Sequence, residues 1–306
     1  MTHAQSNQTE VFRMEAQAEE PRLVIYWDDP RAPCSTSKYP HPAHTWILSP
    51  EWRASQAVAR FPDHHHLVAP KWSTAIGQTN VADINQRGAA LQWLQELLAA
   101  GGVDRYILAD PDLVFYNTQS LDGKPGKVAS MEEMDLLLAA IWDGLADHPM
   151  VGLQHRQTFG PYGHGKARGS AQLLARAQHG IYGLSSMTLW NLGIRWDVLP
   201  AMEETHVLLE LLLAGHTNVI LSEWAYKRYG SAGFSPAHRD PALEGIAARQ
   251  LKGTHPRYVS VSRLTGGTSW AGGSSPRQRV SVSYAKARED GMRLAEERLA
   301  RMGDES

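Results

Sequence analysis

Two carboxylates separated by one proline, Asp110-Pro111-Asp112, follow an apolar run at residues 106–109 and are the residues best suited to holding a hard cation. Oxygen ligands at i and i+2 can converge on Mn2+ or Mg2+, ions that commonly tie a pyrophosphate to a protein. A cation there would stabilise the negative charge that grows on a nucleoside diphosphate leaving a sugar. The same three residues also make an ordinary turn, because aspartate side chains cap nearby backbone amides. Glu203 and Glu204 open a second block behind Met202. A carboxylate there can take a proton from an acceptor hydroxyl, or can simply be favoured by the helix dipole. Glu204 is the candidate base, with Glu203 as the alternative. Arg87, within Asn85-Gln86-Arg87, could face a phosphate or lie solvated on a helix.

The histidines are less selective. His64, His65 and His66 are consecutive, so in a strand they alternate faces and cannot all bind one ion; they read as a surface run. His206, His238 and His255 each offer a third metal ligand, and spacing does not choose between them. His255 joins Asp110 and Asp112 in the working ligand set. No C-x-x-C, H-E-x-x-H, P-loop or G-x-S-x-G pattern occurs.

These residues need a scaffold, and the apolar rhythm supplies one. Residues 23–27 form a short apolar run that reads as an edge strand, followed by a Pro- and His-rich loop to residue 44. Residues 45–48 read as a buried strand, with Ser49-Pro50 as cap and first turn of a helix reaching about residue 60. A strand at 67–69, a helix at 83–100 closed by Gly101-Gly102, and a strand at 106–109 follow. Strand and helix alternate in this way when a parallel sheet is wound with right-handed crossovers, and ligands then bind beyond the carboxyl ends of the strands.

Further on, Ser130 and Glu133 form a capping box for a helix with Met134, Leu137, Leu138, Ile141, Trp142 and Leu145 on one stripe. Strands are expected at 151–153 and 218–221, sheet- or helix-like content at 182–190, and a helix at 203–214 closed by Gly215. Residues 158–179, rich in glycine and basic side chains, read as a mobile loop. A Gly/Ser-rich, then basic, segment at 265–279 leads to a last helix near 284–301.

Composition bounds the rest. The 306 residues are 42% hydrophobic and 20% charged, enough for one large α/β domain. A net charge of −2 excludes coating of DNA by bulk charge. The single cysteine, Cys34, excludes an intrachain disulfide framework and suits a reducing cytoplasm. No apolar run is long enough to span a bilayer, so no membrane role is expected. Residues 1–22 are polar and read as a disordered N-terminal tail, 23–264 as the main domain, and 265–306 as a basic linker with a C-terminal helix.

The succession Asn85-x-Arg87, VDRYILADPDLVF, MVGLQHRQ, IYGLSSMTLWNLGIRW, LPAMEETHVLLELLLAGHTNVI and THPRYVSV resembles the phage glycosyltransferases that accompany TET/JBP-type dioxygenases. The resemblance covers about residues 45–262. That group is GT-A-like, which implies a Rossmann-like α/β fold with a mixed, mainly parallel sheet flanked by helices. Its acidic block falls on Asp110-Pro111-Asp112, with proline in place of the middle acid. Its M-E-D block falls on Met202-Glu203-Glu204, with glutamate in place of aspartate. What the resemblance implies is metal-dependent, inverting transfer from a UDP-sugar onto the hydroxyl of 5-hydroxymethylcytosine in double-stranded phage DNA, in the host cytoplasm. Asp110 and Asp112 would hold Mn2+ or Mg2+ on the donor and Arg87 would help neutralise it. A dioxygenase partner would supply the hydroxyl.

The basic residues Arg156, Lys166, Arg168 and Arg176 are the candidates for contacting DNA, with Arg277, Arg279, Lys286 and Arg288 as a second strip; solvated charge explains both equally well. Three rivals stand beside this reading. One is a phosphatase-like enzyme with Asp110 as nucleophile. The others are a catalytically inactive DNA-binding module and a GT-A enzyme acting on protein or a small molecule.

Overall fold

A computed structural model of the chain describes residues 22–28, 34–38, 40–70, 86–118, 126–155, 172–177, 179–228, 241–263 and 278–304. Strand β1 (Leu23–Tyr26) is an unbroken buried apolar run, as expected of a strand covered on both faces. It lies inside the sheet, between β2 (Thr45–Pro50) and β4 (Arg105–Ala109), parallel to both. This corrects the edge-strand expectation: the run is paired along both of its edges as well as covered on both faces. Arg22, placed in the tail by the sequence, is also buried, and its carbonyl accepts the amide of Ile107.

The remaining strands are β3 (His65–Ala69), β5 (Leu113–Asn117), β6 (Gly126–Lys127), β7 (Met150–His155), β8 (Gln172–Leu174), β9 (Ile181–Ser185) and β10 (Val219–Arg228). Among the described residues they form a ten-stranded sheet ordered β3-β2-β1-β4-β9-β7-β10-β5-β6, with β8 pairing β10. Only β5, β8 and β9 run against the others, so the sheet is mixed and mainly parallel in strand direction. A separate antiparallel pair joins β11 (Val259–Arg263) to β12 (Gln278–Val282).

Helices cover both faces, and strand alternation divides the core between them. Val24, Tyr26, Trp46, Leu48 and Leu108 face Leu91, Leu94 and Leu98 of α2 (Gln86–Ala100). Leu23, Ile25, Ile47 and Ile107 face Ala57 of α1 (Ala54–Arg60) and the stripe of α3 (Met131–Gly144). The α3 cap forms as the sequence indicates: Ser130 accepts the Glu133 amide at 3.2 Å, while the Glu133 carboxylate accepts the Ala129 amide at 2.7 Å. Ser49-Pro50, by contrast, starts no helix. Ser49 is buried within β2, and one 3-10 turn at Glu51–Arg53 separates Pro50 from α1.

From β1 the chain steps outward through β2 and β3 with α1 on one face, then returns past β1 to β4 with α2 on the other. The order of strands therefore reverses between β1 and β4, and a crevice opens at such a switch point beyond the carboxyl ends. Asp28 follows β1 there, and Asp110-Pro111-Asp112 follows β4.

Among the described residues three further helices follow α4 (Ser186–Asn191): α5 (Glu203–Leu213), α6 (Pro241–Thr254) and α7 (Tyr284–Asp304). Among the described residues no helix is long and apolar enough to cross a membrane. Helix α5 is buried along most of its circumference because the core lies on one side and α7 on the other. The two helices meet at Gly291, where a Cβ would collide with the Leu212 carbonyl oxygen. Gly291→Ala is therefore expected to push α7 off α5 and cost about 1–3 kcal/mol, read as a lower urea midpoint with an unchanged m-value.

Several elements were not foreseen. β5, α6, β11 and β12 were not assigned from the sequence, although valine alternates with polar residues in both β11 and β12, and β10 runs seven residues past the expected end at Leu221. β8 lies within the segment read as a loop. The histidine run is half-buried rather than superficial: His65 stacks on Trp46 with ring centroids 4.6 Å apart, and His66 Nε2 bonds the Phe61 carbonyl at 2.9 Å.

Candidate active site

Arg87 gathers the acidic residues. It stands in the first turn of α2, which the β3-to-β4 crossover brings over the switch point. One guanidinium nitrogen donates to Glu204 at 2.7 Å and Glu203 at 3.2 Å; the other donates to Asp110 Oδ1 and to the Tyr182 hydroxyl, each at 3.0 Å. Tyr182 reaches this place from β9, beside Leu108 in the β4–β9 register, and its hydroxyl donates to Glu204 at 3.5 Å. Arg228 approaches from the opposite side. The β10–β5 register sets it across from Leu113, and its guanidinium binds Asp110 Oδ2. Each oxygen of Asp110 thus accepts from a different arginine.

The turn after β4 is braced by Thr36, in the 3-10 turn at Thr36–Lys38. Its hydroxyl donates to the Asp110 carbonyl at 2.6 Å and accepts the Leu113 amide at 2.9 Å, while its own amide donates to the Pro111 carbonyl at 3.1 Å. The Asp110 amide donates to Gly180, whose φ of +83° only glycine adopts readily. Thr36→Val keeps the shape but strands a buried donor and acceptor, so a loss of about 1–3 kcal/mol is expected in thermal or urea unfolding.

Glu203 and Glu204 enter at the start of α5, where the dipole favours negative charge. Met202 ahead of them has φ 64° and ψ 26°, a left-handed conformation that is rare outside glycine and held here by packing against the core. The two acids titrate differently. Burial, followed by the charge of Glu204, pushes Glu203 up to about 7. Burial also works against ionisation of Glu204, but the Arg87 charge, with His179 and hydrogen bonds, outweighs it and holds this acid well below the usual range. A proton shared with this pair would therefore sit on Glu203 rather than on Glu204.

Asp110, Asp112, Glu203 and Glu204 set four carboxylates against two guanidiniums, Arg87 and Arg228; Asp112 acts on Arg228 through its charge. Among these described residues the surplus is negative, so a cation would help them accept a phosphate-bearing ligand. The donor set around the Asp110-Pro111-Asp112 turn is all oxygen, which fits a hard divalent ion with water and ligand oxygens completing its shell.

Of the residues singled out in the sequence, Arg87, Asp110, Glu203 and Glu204 meet directly. His255 lies elsewhere: its imidazole meets His206 and Glu210, and among the described residues it forms no three-ligand group with Asp110 and Asp112. Arg156, Lys166, Arg168, His238 and Arg277 lie outside the described residues. Arg176 is exposed just beyond β8, and its carbonyl accepts from Asn218. In the second basic strip Lys286 pairs with Asp290 at 3.2 Å and Arg288 donates to Thr217 at 3.0 Å. Tyr182, Arg228 and Thr36 were missed. The apolar run Trp224-Ala225-Tyr226 ahead of Arg228 was the one available sign that β10 continued.

No family model and no curated protein matches the chain in sequence. Among solved structures it is similar to the mannosyltransferase PcManGT from Pyrobaculum calidifontis, in complex with GDP-Man and Mn2+, at 12% identity over 84% of this chain and 73% of that one, with a TM-score of 0.45. A protein from Desulfovibrio desulfuricans assigned as a nucleotide-diphospho-sugar transferase is similar at 9% identity over 66% and 79%, with a TM-score of 0.35. Mannose-1-phosphate geranyltransferase from Thermus thermophilus is similar at 11% identity over 74% and 78%, with a TM-score of 0.34.

Proposed function

We propose that the chain is a GT-A-type glycosyltransferase that moves a sugar from a nucleoside diphosphate, UDP in the first instance, to a hydroxyl. The observation that carries this reading is the convergence of Asp110, Glu203 and Glu204 on Arg87 beyond the carboxyl ends of β1 and β4. Asp112 and the outer lone pairs of Asp110 would hold Mn2+ or Mg2+. When bound, that ion would supply charge neutralisation for the departing diphosphate. Arg228 and Arg87 fix the Asp110 carboxylate and offset part of its charge.

The base comes from the glutamate pair. Glu204 is anchored by Arg87 and Tyr182, whereas Glu203 has a single, longer ion pair and a proton affinity near working pH, as efficient proton transfer requires. Glu203 therefore takes the acceptor proton and Glu204 positions it, the reverse of the preference drawn from sequence. The acceptor oxygen attacks the anomeric carbon, the bond to the diphosphate oxygen breaks, and the nucleotide leaves with the electron pair. A single displacement of this kind inverts the anomeric centre.

For the acceptor, the sequence resemblance supports 5-hydroxymethylcytosine in duplex DNA, made by a TET/JBP-type dioxygenase. Incubating such DNA with UDP- and GDP-sugars and Mn2+, then weighing the nucleosides by mass spectrometry, tests this. A hexose-sized gain is expected. Nucleotide release without any gain on DNA would move the acceptor to protein or a small molecule and leave the donor site standing.

A further inference from the structure

Helix α5 carries a second cluster that the transfer reaction does not use. His206 and Glu210 are one turn apart on α5, so their side chains share a face. His255, whose amide bonds the Leu251 carbonyl at the end of α6, reaches the same face. His206 Nδ1 and His255 Nε2 are 3.2 Å apart, and His255 Nε2 and Glu210 Oε1 are 3.4 Å apart. All three ligand atoms lie within 4.8 Å of one another.

His255 Nε2 faces both His206 Nδ1 and Glu210 Oε1, and whether it carries a proton or a lone pair it can complete only one of these two hydrogen bonds. A shared cation satisfies all three. Four ligands set about 2.0–2.1 Å from a zinc ion stand about 3.3–3.4 Å apart along the edges of the tetrahedron, close to both short separations. We infer that His206, Glu210 and His255 form a binding site for one Zn2+-class ion that fastens the end of α6 to α5. Both histidines are buried, while Glu210 is 37% exposed and gives the ion a way in from solvent. Two nitrogens and one oxygen select zinc over magnesium or manganese, which separates this site from the all-oxygen set at Asp110 and Asp112. His206 lies one turn beyond Glu203, so the ion would fix the part of α5 that presents the base.

The test uses the full chain stripped with a chelator, titrated with Zn2+ against a chromophoric competitor, and with Co2+ as a spectroscopic probe. One equivalent of zinc is expected, with visible cobalt bands of four- or five-coordinate strength. Glu210→Gln, a half-exposed and nearly isosteric change that preserves folding, should weaken zinc by at least about 10-fold. His255→Gln should remove the stoichiometric site, and Asp112→Ala should leave it intact. The inference is overturned by a wild-type chain that takes up no zinc equivalent, by affinity unchanged in both Glu210→Gln and His255→Gln, or by loss of the site in Asp112→Ala. None of these readouts depends on sugar transfer.

Discussion

Arg87→Met is expected to lower unfolding free energy by about 3–5 kcal/mol and to abolish transfer, because it removes the cation that joins three largely buried carboxylates. Arg228 would still neutralise Asp110, but Glu203 and Glu204 would face each other across the start of α5 without Arg87 between them. Their mutual repulsion would be relieved by proton uptake, so the variant should recover part of its stability as pH falls. Arg87→Lys separates charge from geometry: one ammonium can meet one or two of the acids but not the planar set of four partners that the guanidinium bonds. Urea unfolding at two pH values measures both variants. Wild-type stability in Arg87→Met would show that the acids are solvated and that Arg87 does not organise them.

Glu203→Gln is the second large effect. Removing the base should reduce turnover by about 10²–10⁴-fold while donor affinity changes little. The pH dependence follows from the direction of the shift. Glu203 must lose its proton to act, so the rate should rise with pH through about 7 and level off above it. Stability runs the other way. A carboxyl with a raised folded value favours the native state below its ordinary value near 4.5, and that advantage is lost as pH rises through about 7. The stability of wild type relative to Glu203→Gln should therefore fall between about pH 5 and 8, because the buried histidines, which act in the opposite sense, contribute alike to both chains. Glu204→Gln has a different signature. It removes the negative neighbour that helps raise Glu203, so the rate–pH limb should move to lower pH. Turnover lost in Glu204→Gln but kept in Glu203→Gln would restore Glu204 as the base.

The parts of this fold that were legible in sequence are those set by local rules. The α3 stripe, its Ser130–Glu133 cap, the stop at Gly102 with φ 73° and the stop at Gly215 with φ 94° each follow from a few adjacent residues. β1 was misplaced because a four-residue apolar run reports burial without saying how many neighbours provide it. The site was half legible. Asp110, Glu203, Glu204 and Arg87 announce themselves as charged residues beside apolar runs. Arg228 meets Asp110 across 118 positions through an antiparallel register, and Tyr182 meets Arg87 across 95 through another. Such pairings are properties of the sheet, and no local pattern encodes them. His255 was grouped with Asp110 and Asp112 from the sequence, whereas it meets His206 and Glu210, because the α5–α6 packing that sets it there is also tertiary.

The most direct test of the donor site is nucleotide release from a panel of UDP- and GDP-sugars, measured for wild type and Asp112→Ala with and without Mn2+. Release from at least one donor that requires Mn2+ and is lost in Asp112→Ala is the expected result. No release from any donor, or release that is equal in Asp112→Ala and indifferent to metal, would contradict the assignment of this crevice to a nucleotide sugar.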